Sequence, residues 1–86
     1  MGASERELKH LRQRISNERP VPPRRLQNTT RSPIAVTVRL VWERDGEQFV
    51  ATKARDWVGR DVLVELFDQR WSTRGIWLDA SDVRRR

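Results

Sequence analysis

Arginine forks and aromatic rings are the side chains with chemistry to offer in this 86-residue chain. Of its eighteen basic residues all but Lys9 and Lys53 are arginine, and they share the sequence with four tryptophans and two phenylalanines. A guanidinium is a planar, permanently charged fork suited to phosphate or carboxylate. An aromatic face can hold a cation or stack on a base. Both properties point to binding. Catalysis has little to draw on: His10 is the sole histidine, cysteine is absent, and no spacing resembles a metal site, a nucleophile elbow or a phosphate loop. Asp79 and Asp82 suit a turn and the cap of a helical turn, so they are assigned no acid-base role. The expectation is a non-enzymatic protein with no cofactor, no metal and no small-molecule substrate.

The charge is unevenly spread. Residues 1 to 33 carry a formal +5 of the total +6, and residues 34 to 86 are nearly balanced. Arg19, Arg24, Arg25 and Arg31 lie in the first part, and Arg84, Arg85 and Arg86 cluster at the other end. On an extended backbone such arginines can track phosphates, which makes DNA or RNA the expected partner. The competing readings are an acidic protein surface, or a tail whose charge only solubilises. Arginine richness also arises from a GC-rich genome without functional demand. No apolar run approaches the roughly 18 residues of a membrane span, and the first residues lack a signal-peptide core. A soluble, cytoplasmic protein with no membrane partner is expected, although the lack of cysteine permits a reducing compartment without proving it.

Ser4 with Glu7 three residues later has the capping-box spacing, predicting a helix from Glu5 to about Ser16. Leu8, Leu11 and Ile15 form one narrow stripe on it, which docks on the rest of the protein, meets a partner, or frays. Pro20, Pro22 and Pro23 then enforce extended backbone, read as a spacer in preference to a polyproline ligand, and residues 24 to 32 show no periodicity. The division is an N-terminal helix and basic arm over 1 to 33, and a β domain over 34 to 86. That domain, at about fifty residues, is near the lower limit for folding alone, yet is expected to fold without the arm.

Ile34, Val36, Val38, Leu40 and Trp42 alternate with residues of the opposite face, the period of a strand with one side buried. Asp45-Gly46 predicts a tight hairpin with positive φ at both central positions. A second strand over about Gln48 to Trp57 needs a bulge or bend to reconcile Phe49 and Ala51 with Ala54. Strands from Val62 to Phe67 and Ile76 to Asp79, one helical turn at Ala80, Ser81 and Asp82, and a last strand begun by Val83 complete the reading. The fold class is mainly β, a small five-stranded bent barrel.

Residues 36 to 84 resemble the Src-homology/Tudor-like small barrels. The resemblance rests on the apolar first strand, the Asp45-Gly46 hairpin, Phe49 and Ala51, the central Val62, Val64, Leu66, Phe67 and Asp68, and the closing run from Trp77 to Val83. It implies a rim where Trp57, Phe67 and Trp71 form an aromatic surface, by analogy with Tudor cages for methylated cations. The family pattern of Asp, aromatic and Gly after the central strand is replaced here by Asp68, Gln69 and Arg70, with Trp71 displaced. Two other readings of the rings stand beside it: stacking platforms for single strands near Arg39, Arg55, Arg70 and Arg74, or core filling, Trp42 first. The functional expectation is a nucleic-acid-associated accessory module using its Arg-rich arm. The alternative is a structural or assembly protein, a phage or multi-protein complex component, that meets a protein partner through helix, arm and barrel.

Overall fold

The computed structural model describes residues 11 to 86. Five strands form one antiparallel sheet in the order β4-β3-β2-β1-β5. They are β1 (Asn28–Trp42), β2 (Gly46–Val58), β3 (Asp61–Glu65), β4 (Gly75–Asp79) and β5 (Val83–Arg85). Alternation decides which side is buried. Val36, Val38, Leu40 and Trp42 enter the core from β1, and Val64, Leu66, Ile76 and Leu78 meet them from β3, β4 and the segment between. Ile34, expected in the same row, is only half-buried.

β1 starts at Asn28, six residues before the alternating run, because Asn28 and Thr29 pair with Trp57 and Asp56. The register then slips until Ile34 meets Ala54. Pro33, which has no N–H to give a ladder, falls in this irregular stretch. A second irregularity, between Ala54 and Asp56 against β3, leaves Arg55 unopposed. The pairing of β2 is therefore interrupted at Arg55 on both of its sides, with the extra residues in β1 on one side and Arg55 itself the extra residue on the other. The expected bend between Ala51 and Ala54 is not found: the register is unbroken from Gly46 to Ala54, where plain alternation already puts Phe49 and Ala51 on one face and Ala54 on the other, and the irregularity comes after it.

The β1–β2 connection corrects one expectation. Trp42 pairs with Gly46 across Glu43, Arg44 and Asp45, and among the described residues no non-glycine has positive φ. Gly46 alone takes it in this loop, at 77°. A three-residue loop relieves Asp45 of the left-handed conformation and leaves it to the glycine. Gly59, at 55°, serves the two-residue β2–β3 turn in the same way. The one-turn segment is a 3-10 turn at Ala80–Asp82, where the Asp79 carboxylate accepts the Ser81 N–H.

The sheet is not closed as a barrel. β4 and β5 are its two edges and do not pair with each other. β5 is short and covers only Val36, Thr37 and Val38 of β1. Beyond them the β1 edge is taken by the chain's own N-terminal segment. The Asn17 side chain imitates a strand there: its amide oxygen accepts the Val41 N–H and its amide nitrogen donates to the Arg39 carbonyl. The Ser16 N–H then donates to the Val41 carbonyl and the Glu43 N–H to that of Arg14. Three residues after Ser16, the Arg19 N–H donates to the Trp77 carbonyl of β4. Residues 14 to 19 thus bridge the seam between β1 and β4.

That bridge overturns part of the predicted helix. Residues 5 to 10, with Leu8, lie outside the described residues, but residues 12 to 16 are not helical and Ile15 pairs as an isolated bridge with Trp42. Ile15 is 3% exposed, while Leu11 is exposed. A short helix with three apolar residues is marginal, and burying Ile15 while satisfying the open β1 edge outweighs its local propensity.

Candidate nucleic-acid interface

The arginines fall into two groups. In the first, each guanidinium is tied to carboxylates of the sheet. Arg39 reaches Glu47 and Asp82, Arg55 reaches Glu65, Arg60 reaches Asp79, and Arg19 reaches Asp61. Arg70 is the most engaged. It donates to Asp68, Asp45 and Gln48 and lies 3.9 Å above the Trp42 ring centroid. The Asp68 carboxyl is held below its ordinary range mainly by Arg70, and that of Asp45 by Gln13 first and Arg70 second. Asp79 is lowered by the Ser81 hydroxyl and N–H, then by Arg60. These arginines brace the fold, so Arg39, Arg55 and Arg70 are not the free cations that a stacking surface was expected to use, and Arg19 is not a free arm cation.

In the second group, Arg12, Arg14, Arg24, Arg25, Arg31, Arg74, Arg84 and Arg85, and Lys53 with them, have no carboxylate partner among the described residues. Arg24 and Arg25 occupy a 3-10 turn, Arg24–Leu26, between the segment tied to β4 and the start of β1. Arg31 lies in the irregular stretch of β1. Arg84 and Arg85 stand opposite Thr37 and Val36, and the Arg86 N–H donates to the Ala35 carbonyl, so β5 runs toward that same stretch. The Arg86 guanidinium donates to the carbonyls of Val36 and Thr52, neutral groups that leave its charge intact. Arg84 to Arg86 thus lie opposite the middle of β1, with Arg31 four or more residues away along the same strand.

Pairing also defines a face that sequence reasoning missed. Residues directly opposite one another share a side of the sheet. Ala35 opposes Lys53, Thr37 opposes both Ala51 and Arg84, and Arg39 opposes Phe49. The outward side of β5–β1–β2 is therefore a floor of small residues with cations around it and one exposed ring, Phe49. A hollow of about 380 Å³ opens there between Phe49, Thr37, Val83 and Arg84. The signal available in the sequence was the alternation of Ala35, Thr37 and Arg39, but its cross-strand neighbours needed the register.

The predicted aromatic surface is not assembled. Trp57 faces Val62, and Phe67 lies five residues further along the chain from that position, on the order of 15 Å away in extended backbone. Trp71 packs against the core, and its Nε1–H donates to the Gly75 carbonyl. Of the three rings, Phe67 and Trp71 share a surface hollow and Trp57 does not line it. Trp42 and Trp77 are buried, which is the core-filling reading for two of the four tryptophans. Among the described residues no three His, Cys, Asp or Glu side chains gather as a metal site, and no helix is long and apolar enough to cross a membrane. Comparisons with protein families, curated proteins and solved structures found no match to this chain.

Proposed function

We propose that this protein is a non-enzymatic binding module associated with nucleic acid, in which the arginines outside the ion-pair network supply affinity for phosphate. The segregation just described carries the reading. The β domain is nearly neutral overall, but most of its carboxylates are bonded to Arg19, Arg39, Arg55, Arg60 and Arg70, so the charge without a carboxylate partner among the described residues lies on Arg12, Arg14, Arg24, Arg25, Arg31, Lys53, Arg74 and the C-terminal cluster. Guanidinium groups without an internal partner keep their forks for an external anion. The interruption of β2 at Arg55 and the one-turn segment before β5 support the resemblance to the Src-homology/Tudor-like small barrels, with residues 14 to 19 at the seam.

Binding of a labelled oligonucleotide as a function of salt tests this reading. Affinity should fall with a slope of about 0.7 to 0.9 per phosphate contacted. Replacing Arg24, Arg25 and Arg31 together by Gln should flatten the slope and weaken all sequences alike. No binding to DNA or RNA at low salt overturns the reading. The second reading, an assembly protein, is favoured by an apolar groove of about 500 Å³ lined by Val21, Leu63, Phe67 and Trp77. Val21 and Phe67 are both strongly exposed beside it. Salt-tolerant association lost on Phe67→Ser would support that alternative.

A further inference from the structure

The outward face of β5–β1–β2 has three properties that the arm lacks: a fixed shape, an exposed ring and an adjoining hollow. We propose that this face binds single-stranded nucleic acid, with Phe49 stacking on a base at the hollow while Lys53, Arg84 and Arg86 meet the flanking phosphates. The proposal rests on the nucleic-acid reading above and moves its contact from a charged arm to a defined surface.

Charge comes first. Glu47 and Asp82 are the carboxylates beside Arg39, and both bond to it. One guanidinium against two carboxylates leaves that cluster one negative charge, and the three positive charges of Lys53, Arg84 and Arg86 outweigh it, so the face stays cationic. Lys53 and Arg84 sit on strands either side of β1, opposite Ala35 and Thr37, and two strand spacings with that two-residue offset put their backbones about 12 Å apart. Phe49 lies four residues from Lys53 along β2, about 13 Å in extended backbone. An anionic strand crossing this face meets cations on both margins and an aromatic face at one end.

The floor makes the crossing feasible. Ala35, Thr37 and Ala51 offer no long side chain to hold a backbone away from the sheet. Phe49 is 63% exposed, so its ring is open to solvent rather than packed in the core. Arg84 lines the same hollow together with the paired Arg39 and Asp82, placing a charged fork without a carboxylate partner beside the stacked position. Stacking on a side chain requires a base free of its own duplex stack, so the face favours single strands over duplex. An acidic peptide would use the cations and gain nothing from the ring plane, which separates the two occupants by experiment.

Fluorescence anisotropy of a labelled mixed-sequence DNA oligonucleotide, as a single strand and as the matching duplex, tests this in the full chain. Phe49→Ala should weaken the single strand about fivefold to a hundredfold, with duplex affinity and salt slope little changed. Phe49→Tyr should restore most of the loss. Lys53→Gln with Arg84→Gln should lower the single-strand salt slope by about 1.4. Thermal melting by circular dichroism, unchanged in each variant, excludes a folding defect. Single-strand binding unaffected by Phe49→Ala and by the Lys53/Arg84 pair, yet lost on changing Arg24, Arg25 and Arg31, overturns this proposal and leaves the arm reading standing. Equal competition by a polyglutamate peptide for wild type and Phe49→Ala also overturns it. No binding by the wild type overturns both.

Discussion

At the hairpin end of the sheet Arg70 is held by Asp45, Asp68, Gln48 and the Trp42 face, whereas at the β5 end Arg84 meets no carboxylate among the described residues. The two side chains are chemically the same. At the hairpin end the loop after β3, the β1–β2 turn and the N-terminal segment converge, and Gln13 adds bonds to Arg44, Asp45 and the Arg70 carbonyl. Three pieces of chain with little apolar surface are joined there by polar contacts. At the β5 end the ladder is short and the cations are left over. An arginine count therefore says nothing about binding until the internal partners are assigned.

Deleting the N-terminal segment should disrupt the hairpin end most severely. Removing residues 1 to 32 takes away Ile15, the Asn17 amide and the first pairings of β1. Loss of a buried isoleucine side chain alone is worth about 2 to 5 kcal/mol, a large share of what so small a domain has. The truncated chain should show no cooperative thermal transition by circular dichroism, contrary to the expectation drawn from the strand pattern. A sharp transition close to that of the full chain would mean the N-terminal bridge is dispensable.

A milder loss isolates one side chain of that bridge. Asn17→Leu leaves the Val41 N–H and the Arg39 carbonyl without their partner, which should cost about 2 kcal/mol or more in urea unfolding. Asn17→Ala with the same loss would attribute it to the missing hydrogen bonds, since alanine adds no bulk.

The paired substitutions Arg70→Gln and Arg84→Gln set the two ends against each other directly. Arg70→Gln should lower stability by about 1 to 2 kcal/mol and leave the salt slope of oligonucleotide binding alone. Arg84→Gln should shift stability by less than about 0.5 kcal/mol and reduce that slope. The reverse pattern would exchange the roles of the two ends.

Acid should produce the weakest response. Asp45, Asp68 and Asp79 are all held below the ordinary carboxylate range in the folded protein. Their stabilising contribution is therefore complete above about pH 4, the unfolded value, and is lost as pH falls through their lower folded values. Urea midpoints should be level near neutrality and decline in acid, with a shallower decline in Arg70→Gln because Asp68 and Asp45 lose a partner. An acid limb identical in the variant would separate Arg70 from those titrations.

Local chemistry was legible in the residues themselves. The period of two from Val36 to Trp42, the glycine at position 46, and Asp79 as cap of the turn before Val83 each depend on a few neighbouring residues, and all three are found. Segregation of apolar and polar side chains along a strand is a property of the strand alone. The remaining features join groups far apart in sequence and were settled by the folded arrangement. Ile15 left its helical stripe because an open β1 edge offered burial and hydrogen bonds that an isolated helix lacks. Arg39, Arg55 and Arg70 became braces because register put carboxylates within reach, and Phe49, Lys53 and Arg84 became one face because β1 lies between β2 and β5. Composition carries the charges, but distance decides which of them cancel, and distance exists only once the chain is folded.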